Sequence, residues 1–268
     1  MAPAALVTGG SSGIGLEAAA ALLRRGYAVA LVARRIDQLE AARDDLIARF
    51  GPETAPRILL RPHDVADHAA AAALVADVEA TLGPVDFLLA AAGMVEPGLF
   101  VEQPLATHLR QIEVNYGGAL VFAAALAPRM AARGRGHIVF VSSAAAFVGL
   151  YGYAGYGASK FALRGLAESL RPELAPAGVG VAIAFPPDTD TPQHRGEAGK
   201  RPAVTRRIAA MSGLARPEAV AEDIVAKALA GRFVITQGAG LALFALFHSL
   251  LAAPLRAFQT WLARRSPD

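Results

Sequence analysis

The chain has 268 residues, of which 54% are hydrophobic, and its formal net charge is only +3. This length suits one large domain with a full core, and the small net charge argues against a nucleic-acid partner. The absence of cysteine excludes disulfides and thiolate catalysis and leaves the redox compartment open, with an intracellular, cytoplasmic location the simpler interpretation. The six histidines lack the spacing of metal ligands. A strand predicted from Ala4 leaves no room for a secretory signal peptide.

A glycine-rich loop near the start of the chain lies between a predicted strand, 4–8, and a predicted helix, 16–25. This order of elements is the context of a dinucleotide-binding fingerprint, in which the free N–H groups of the helix N-terminus bind the pyrophosphate. Gly9 permits the tight turn, Gly13 the approach of the pyrophosphate, and Gly15 the close packing of the helix. The loop residues predicted to bind the cofactor are Gly9, Ser11, Ser12, Gly13, Ile14 and Gly15.

The end of the second predicted strand, 28–33, indicates which dinucleotide is bound. A cofactor without a 2′-phosphate needs Asp or Glu there for its ribose hydroxyls, but this chain has Arg34 and Arg35. A guanidinium group binds phosphate through a planar fork of donors. The sequence therefore predicts NADPH/NADP rather than NAD(H). The alternative is that both arginines are solvated residues at the start of the next helix.

Strands and helices alternate along most of the chain, which predicts an α/β fold: a single Rossmann-type, doubly wound parallel sheet with helices on both faces. The later strands are predicted at 58–60, 85–91, 137–142, 180–185 and 233–236. In such a sheet, ligands bind outside the carboxyl ends of the strands. The residues that fall at such ends are Gly9, Arg34, Asp64, Gly93, Ser143 and Pro186. We expect a catalytic domain over 1–237 and an apolar C-terminal extension over 238–268.

Further cofactor contacts are predicted after the third and fourth strands. Asp64 and Val65 follow the third strand, where they can meet the adenine, and Ala91 and Gly93 follow the fourth. The alternative for Asp64 is an N-cap of an alanine-rich helix predicted over 66–82, and both roles can hold. After the fourth strand we predict two helical arms, separated around residues 115–118.

Tyr156 and Lys160 lie four residues apart in a predicted helix, and therefore on one face of it. An ammonium group beside a phenol lowers the tyrosine pKa from about 10, so that the phenol can transfer a proton near neutral pH. Ser143 lies upstream, at the end of the fifth predicted strand. The spacing of the pair alone is weak evidence, because it occurs by chance on many helices.

Taken together, these motifs resemble those of the short-chain dehydrogenase/reductase family over nearly the whole chain. The matching residues are Thr8-Gly9, Gly13-x-Gly15, Asp64, Ala92-Gly93, Asn115, Ser143 and Tyr156-x-x-x-Lys160. The resemblance implies a nicotinamide cofactor and a catalytic set of Asn115, Ser143, Tyr156 and Lys160. It implies that Tyr156 is the general acid for carbonyl reduction and that Lys160 lowers its pKa and holds the nicotinamide ribose. Ser143 would bind the substrate oxygen, and Asn115 would anchor a chain of waters that resupplies protons.

The chain departs from the family after the fourth strand. Ala90-Ala91-Ala92-Gly93 stands where the family usually has Asn-Asn-Ala-Gly. Two polar side chains that normally tie the central strands together are missing. We therefore expect looser positioning of the cofactor and some loss of stability, with no proton-transfer residue affected.

Within this family, the chain more closely resembles the 3-ketodihydrosphingosine reductases, through segments 150–153, 159–168 and 186–192. This implies NADPH-dependent reduction of a long-chain, lipid-like ketone. Two alternatives stay open: action on another bulky apolar carbonyl or alcohol, and a non-catalytic dinucleotide-binding regulator. The residue after Pro186 is a second proline, where most members of the family have glycine. Because proline fixes φ, we expect this loop to be stiffer than in those members. Pro186, Thr189 and Thr191 are predicted to contact the cofactor, the threonines through the nicotinamide carboxamide.

Two segments after this loop are predicted to handle the substrate or its surroundings. Residues 193–216 have little apolar periodicity and are predicted to form a mobile lid, the alternative being an ordinary solvated loop. Residues 241–251 are predicted to form a helix that is apolar on all faces. The helix is shorter than the ~20 residues of a membrane span, and Pro254 interrupts its continuation. Trp261 and nearby arginines resemble an interfacial anchor. Three interpretations stay open: peripheral contact with the cytoplasmic face of a membrane, a homo-oligomer contact, and a membrane span.

Overall fold

The computed structural model describes residues 2–210 and 213–265. Within these residues, seven parallel strands form one sheet in the order β3-β2-β1-β4-β5-β6-β7. The strands are β1 (Ala4–Thr8), β2 (Ala28–Ala33), β3 (Ile58–Pro62), β4 (Val85–Ala90), β5 (Gly136–Val141), β6 (Val179–Phe185) and β7 (Val234–Thr236). The strand order reverses between β1 and β4, and ligands of doubly wound sheets bind at such a switch point.

Helices cover both faces of this sheet. They are α1 (Gly13–Arg24), α2 (Ile36–Phe50), α3 (Ala71–Leu82), α4 (Leu105–Ile112), α5 (Gly118–Arg133), α6 (Ala154–Leu174), α7 (Pro192–Ala198), α8 (Ala203–Ala209), α9 (Pro217–Leu229) and α10 (Gly238–Arg265). Helices α1, α2 and α9 enclose one hydrophobic core, and α3, α5 and α6 enclose the other. The predicted fold class is confirmed.

Strands β1, β2 and β6 are largely apolar because both faces of the sheet are covered. All five residues of β1 are buried. Successive side chains point to opposite faces, so Leu6 joins the core under α3 and α5, whereas Ala5 and Val7 join the core under α1 and α9. This arrangement places the carboxyl ends of the strands at one edge, where the predicted site residues meet.

Two helical predictions on this edge are wrong in detail. Helix α3 begins at Ala71, five residues after the predicted start, so Asp64 is not its N-cap. The chain first turns at Asp64, whose carboxylate accepts a hydrogen bond from the backbone N–H of Ala66 at 3.1 Å. The predicted break around residues 115–118 is also absent, because a π-helical turn, Glu113–Gly117, joins α4 to α5 without interruption.

The segment predicted as a lid forms two short helices, α7 and α8, over the carboxyl edge of the sheet. Residues 211 and 212 of this segment lie outside the described residues. Val204 is fully buried, and the Thr205 hydroxyl donates a hydrogen bond to the backbone carbonyl of Tyr151. Arg201 forms ion pairs with Asp188 and Glu197. The segment is thus held at several points, and its mobility stays a prediction.

Helix α10 continues through Pro254, contrary to the prediction that this proline interrupts it. Pro254 has no N–H to donate to the carbonyl of Leu250, and both residues are exposed. The helix has 28 residues, hence about 42 Å, and a mean hydropathy of 1.7 over its most apolar window. Its length therefore does not argue against a membrane span. Residues 266–268 of the predicted extension lie outside the described residues.

Candidate active site

The carboxyl edge of the sheet opens into a cavity of about 1380 Å³. Nearly all of the predicted site residues line it. They are Gly9, Ser11, Ser12, Gly13, Ile14, Gly15, Arg34, Arg35, Asp64, Val65, Ala91, Gly93, Ser143, Tyr156, Lys160, Pro186, Thr189 and Thr191. Asn115 is the exception, because it is buried behind the wall. The structure therefore brings the cofactor motif and the proton-transfer motif into one cavity.

The glycine loop forms a cradle at the N-terminus of α1. Gly9 has a φ of 71° and lies so close to Ala92 that an added Cβ would come within 2.9 Å of its Cα. Gly15 packs against the carbonyl of Gly9 rather than against the sheet, so the tight contact is within the loop. Ser12 makes no side-chain cap, and the first N–H groups of α1 are left for an anionic ligand. This cradle fits a pyrophosphate.

The Gly15→Ala substitution is expected to destabilise the protein by roughly 1–3 kcal/mol, because the added methyl collides with the backbone carbonyl of Gly9. The measurement is the free energy of unfolding in urea. Gly165→Ala is the matched control: Gly165 is exposed in α6 with open space where its Cβ would lie, so alanine should be neutral or slightly stabilising. Equal stability of the two variants would contradict the tight packing of the loop.

Arg34 and Arg35 lie at the cofactor end of the cavity, past the end of β2. Both side chains are exposed, and neither donates a hydrogen bond to any residue that the structure describes. Their donors are therefore available to a phosphate group beside the ribose position. This arrangement fits the predicted preference for a 2′-phosphorylated cofactor.

Asp64, at the adenine end of the cavity, forms an ion pair and a hydrogen bond with other residues of the protein. Its carboxylate forms an ion pair with Arg110 at 2.6 Å in addition to its bond with Ala66. Burial alone would raise the pKa of Asp64, but the Ala66 N–H, Arg110 and Arg34 outweigh it and hold that pKa below its ordinary value. Asp64 thus shapes the loop, and its predicted contact with adenine stays a prediction.

Tyr156 presents its phenol to the cavity beside Ser143, whose hydroxyl is near enough to lower the pKa of the phenol. The pKa of Tyr156 is raised, not lowered as expected from the sequence. Burial of the phenol is the largest cause, the Ser143 hydroxyl opposes it, and the nearby carboxylates of Glu197 and Asp188 add to it. In this environment the tyrosine carries its proton at neutral pH, which is the state that a general acid requires.

Lys160 lies one turn along α6, and its ammonium is 5.5 Å from the centroid of the Tyr156 ring. The side chain is buried, and its Nζ donates a hydrogen bond to the carbonyl of Val141 at 3.0 Å. Burial lowers the pKa of Lys160 to about 8. Ser142 ties β5 to this turn by donating from its hydroxyl to the Lys160 carbonyl at 3.1 Å. The lysine is thus fixed at the end of β5 and faces the cavity.

Asn115 connects the π-helical turn to the loop after β4 and to α6. Its side chain accepts from the Met94 N–H at 2.7 Å, and donates to the Met94 carbonyl and to the Ser159 hydroxyl, both at 2.9 Å. A Cβ on Gly93 would come within 3.3 Å of its Oδ1 and 3.7 Å of the Lys160 Nζ, so a side chain there would crowd the Asn115 amide. The structure gives Asn115 a positioning role, and its part in a water chain stays a prediction.

The missing polar side chains after β4 are partly replaced by a residue of β1. The Thr8 hydroxyl accepts a hydrogen bond from the N–H of Ala92 at 3.2 Å and so ties the ends of β1 and β4 together. The two threonines after β6 are bonded locally. Thr189 donates to the carbonyl of Pro187 at 2.8 Å, and Thr191 caps α7 by accepting from the N–H of His194. Their predicted contacts with the carboxamide stay predictions.

Two features of the cavity were not foreseen from the sequence. One is a polar group formed by Tyr153, Asp188, Glu197 and Arg201, which lines the cavity next to Tyr156. The other is an apolar wall from α10, formed by Leu241, Phe244, Leu251, Leu255 and Phe258. The i,i+4 spacing of Glu197 and Arg201 was the only local signal of the first, and it lay in a segment predicted as a loop.

A family model described as short chain dehydrogenase matches residues 3–201 of this chain. Among curated proteins, 3-ketodihydrosphingosine reductase of Bos taurus is 40% identical over 229 residues, which cover 85% of this chain and 69% of that protein. The 3-dehydrosphinganine reductase of Danio rerio is 39% identical over 234 residues, which cover 87% of this chain and 70% of that protein. The similarity thus extends beyond the glycine loop to most of the chain.

Solved structures with NADPH share the fold. An actinorhodin polyketide ketoreductase with NADPH has a TM-score of 0.81 and 29% identity, covering 90% of this chain and 97% of that one. A short-chain dehydrogenase from Sphingobium yanoikuyae in complex with NADPH has a TM-score of 0.78 and 28% identity, covering 96% of this chain and 95% of that one. The glycine cradle and the two available guanidinium groups described above suit the same cofactor. With its motifs, fold and relatives in agreement, this chain belongs to the short-chain dehydrogenase family and is an NADP-dependent oxidoreductase.

Proposed function

We propose that the protein reduces 3-ketodihydrosphingosine, a long-chain aminoketone, to the corresponding secondary alcohol with NADPH. The observation that carries the proposal is the shared cavity: the proton-transfer group of Ser143, Tyr156 and Lys160 faces the same space as the apolar wall of α10. The names of the bovine and zebrafish relatives support the same substrate.

Different residues of this chain bind the cofactor, bind the ketone and transfer the proton. The N-terminus of α1 and Arg34 would hold the phosphates of NADPH, which when bound supplies the hydride for the carbonyl carbon. Ser143 and Tyr156 hydrogen-bond to the ketone oxygen, and the Tyr156 hydroxyl gives its proton to that oxygen as the alcohol forms. The buried ammonium of Lys160 stabilises the negative charge that the phenol then carries.

The apolar wall explains why a long chain suits this cavity. Phe244, Leu251 and Phe258 lie along the wall, and each CH₂ group that the substrate buries against such side chains contributes about 0.8 kcal/mol. Selectivity for chain length therefore accumulates from weak, non-directional contacts. The polar end of the substrate lies by Tyr156, and the alkyl chain extends toward α10.

The test is NADPH consumption by the purified protein with 3-ketodihydrosphingosine, with the same aminoketone shortened to a few carbons, and with a bulky ring ketone. We expect kcat/KM to be highest for the long-chain aminoketone. A higher kcat/KM for the ring ketone would replace the proposal with the second candidate, a reductase for another bulky apolar carbonyl. Absence of turnover with every ketone would favour a non-catalytic dinucleotide-binding protein.

We also propose that the protein rests on the cytoplasmic face of a membrane through α10. The outward side of this helix is apolar, and Leu246 and Leu250 are 71% and 75% exposed. Trp261 stacks with Arg265, whose guanidinium lies 4.3 Å from the indole centroid, an arrangement suited to an interface with anionic headgroups. The opposite side packs on the catalytic domain, where Gln259 bonds to the N–H of Tyr151 and the carbonyl of Gly149. One packed side favours lying on the membrane over spanning it.

The double substitution Leu246→Asp and Leu250→Asp is expected to abolish co-sedimentation with vesicles that contain anionic lipid, because it places two charges in the apolar side of α10. Ala41→Asp with Ala48→Asp, on the exposed side of α2, is the matched control, because it adds the same two negative charges away from α10. A wild-type protein that does not bind vesicles and elutes as a dimer, with the double variant monomeric, would instead identify α10 as a homo-oligomer contact.

A further inference from the structure

A polar group of three charged residues lines the cavity on the side of α7. Arg201 donates from Nη1 to Oδ2 of Asp188 at 2.8 Å and from Nη2 to Oε1 of Glu197 at 2.7 Å. The side chains of Arg201 and Glu197 are only 9% and 10% exposed, and that of Asp188 is 32% exposed. We call Asp188 and Glu197 the carboxylate pair.

The carboxylate pair lies next to the catalytic tyrosine. The Tyr153 hydroxyl donates to Oε2 of Glu197 at 3.2 Å, and the Tyr153 ring packs edge-on against the Tyr156 ring with centroids 5.8 Å apart. Both carboxylates are near enough to raise the pKa of Tyr156, after burial, while Arg201 lowers it. A group bound by the pair is therefore close to a carbonyl that is bound by Tyr156.

The charges of this group do not balance. Two carboxylates face one guanidinium, which leaves a net charge of about −1 at neutral pH. His194 lies at the edge of this group, with its Nδ1 3.2 Å from Arg201 Nη2 and 3.8 Å from Oε1 of Glu197. Oδ1 of Asp188 has no hydrogen-bond partner among the residues that the structure describes. The cavity thus contains an open anionic acceptor in a partly buried place.

We propose that the carboxylate pair binds the ammonium group of the substrate, with Oδ1 of Asp188 as the direct acceptor, and so selects ketones that carry an amine on the adjacent carbon. The inference rests on the proposed function, in which the substrate is an aminoketone. Arg201 holds both carboxylates in position, and Tyr153 fixes Glu197 relative to Tyr156.

The physical reason for the selection is complementary charge. An ammonium with three N–H donors satisfies the open oxygen of Asp188, whereas a ketone without the amine leaves a carboxylate beside an apolar chain. The bound cation also offsets the negative charge that acts on Tyr156, so the proton of the phenol is given up more easily to an aminoketone. Binding and proton transfer both favour the same substrate.

The test uses two ketones of equal chain length, 3-ketodihydrosphingosine and the analogue in which hydrogen replaces the amine. We expect the wild-type protein to prefer the aminoketone, and Asp188→Asn to lower the ratio of the two kcat/KM values about 10- to 100-fold, mainly through the KM for the aminoketone. Glu197→Gln should lower the ratio in the same direction. A long-chain primary amine should inhibit the wild-type protein more strongly than the matching alcohol, and Asp188→Asn should remove that difference.

Glu96→Gln is the matched control, because Glu96 pairs with Lys200 of the same segment at 2.7 Å but does not line the cavity. It should leave the ratio unchanged. Equal loss of both activities in Asp188→Asn, with an unchanged ratio, would assign the carboxylate pair a purely structural role and overturn the inference. A wild-type protein that reduces both ketones equally well would overturn the inference alone, whereas one that reduces neither ketone would overturn the proposed function as well.

Discussion

Tyr156→Phe is expected to lower kcat for ketone reduction about 10³-fold, within the range measured for loss of a positioned general acid. The substitution removes the hydroxyl that lies near Ser143 and donates the proton, but keeps the aromatic ring that packs against Tyr153. The raised pKa of Tyr156 means that the phenol is protonated over the whole neutral range and is therefore available as the donor. The measurement is single-turnover reduction at saturating NADPH.

The Kd for NADPH should change little in this variant, because the predicted phosphate contacts are at the glycine loop and at Arg34 and do not include the phenol. Tyr27→Phe is the control, since Tyr27 packs against Phe87 outside the cavity and should leave kcat as it is. If Tyr156→Phe retained most of its kcat, the assignment of Tyr156 as the proton donor would be wrong.

Arg34→Asp is expected to lower kcat/KM for NADPH about 100-fold and to raise that for NADH. The loss follows from replacing charge-assisted hydrogen bonds to the 2′-phosphate, each worth roughly 1.5–3 kcal/mol, by repulsion between two anions. The gain follows from the new carboxylate, which can accept hydrogen bonds from the ribose hydroxyls. Because Arg34 has no hydrogen-bond partner in the described part of the chain, its replacement should not disturb the fold.

The comparison requires steady-state kinetics with both cofactors at one ketone concentration. Arg43→Asp is the control with the same change of charge, since Arg43 lies on the exposed side of α2 and pairs with Asp44 outside the cavity. It should leave the ratio of the two kcat/KM values as in the wild type. Equal use of NADH and NADPH by the unchanged protein would contradict the role given to Arg34.

The sequence determined the framework of the sheet and the residues at its carboxyl edge. The structure has β1 at Ala4–Thr8 and β2 at Ala28–Ala33, with the predicted bounds. Buried parallel strands of this kind are continuous apolar runs, so local patterns suffice for them. The glycine loop was also predictable from the sequence, because the positive φ of Gly9 and its close packing both require glycine.

The direction of the Tyr156 pKa depended on the tertiary structure. The spacing of Tyr156 and Lys160 predicted a lowered value, whereas burial raises it and the carboxylates of Glu197 and Asp188 add to the rise. Neither carboxylate is near Tyr156 in the sequence. Desolvation depends on everything that surrounds a group, and no pattern along one helix contains that information.

The contributions of α10 and the carboxylate pair to the cavity were likewise decided by the tertiary structure alone. Pro254 indicated a helix end, but α10 continues through it, and the side of the helix that includes Pro254 becomes a cavity wall. Asp188 follows β6, whereas Glu197 lies in α7 and Arg201 just beyond it, and they become one charged group when α7 folds over the sheet. Side chains from separate elements meet through packing, which local periodicity does not specify.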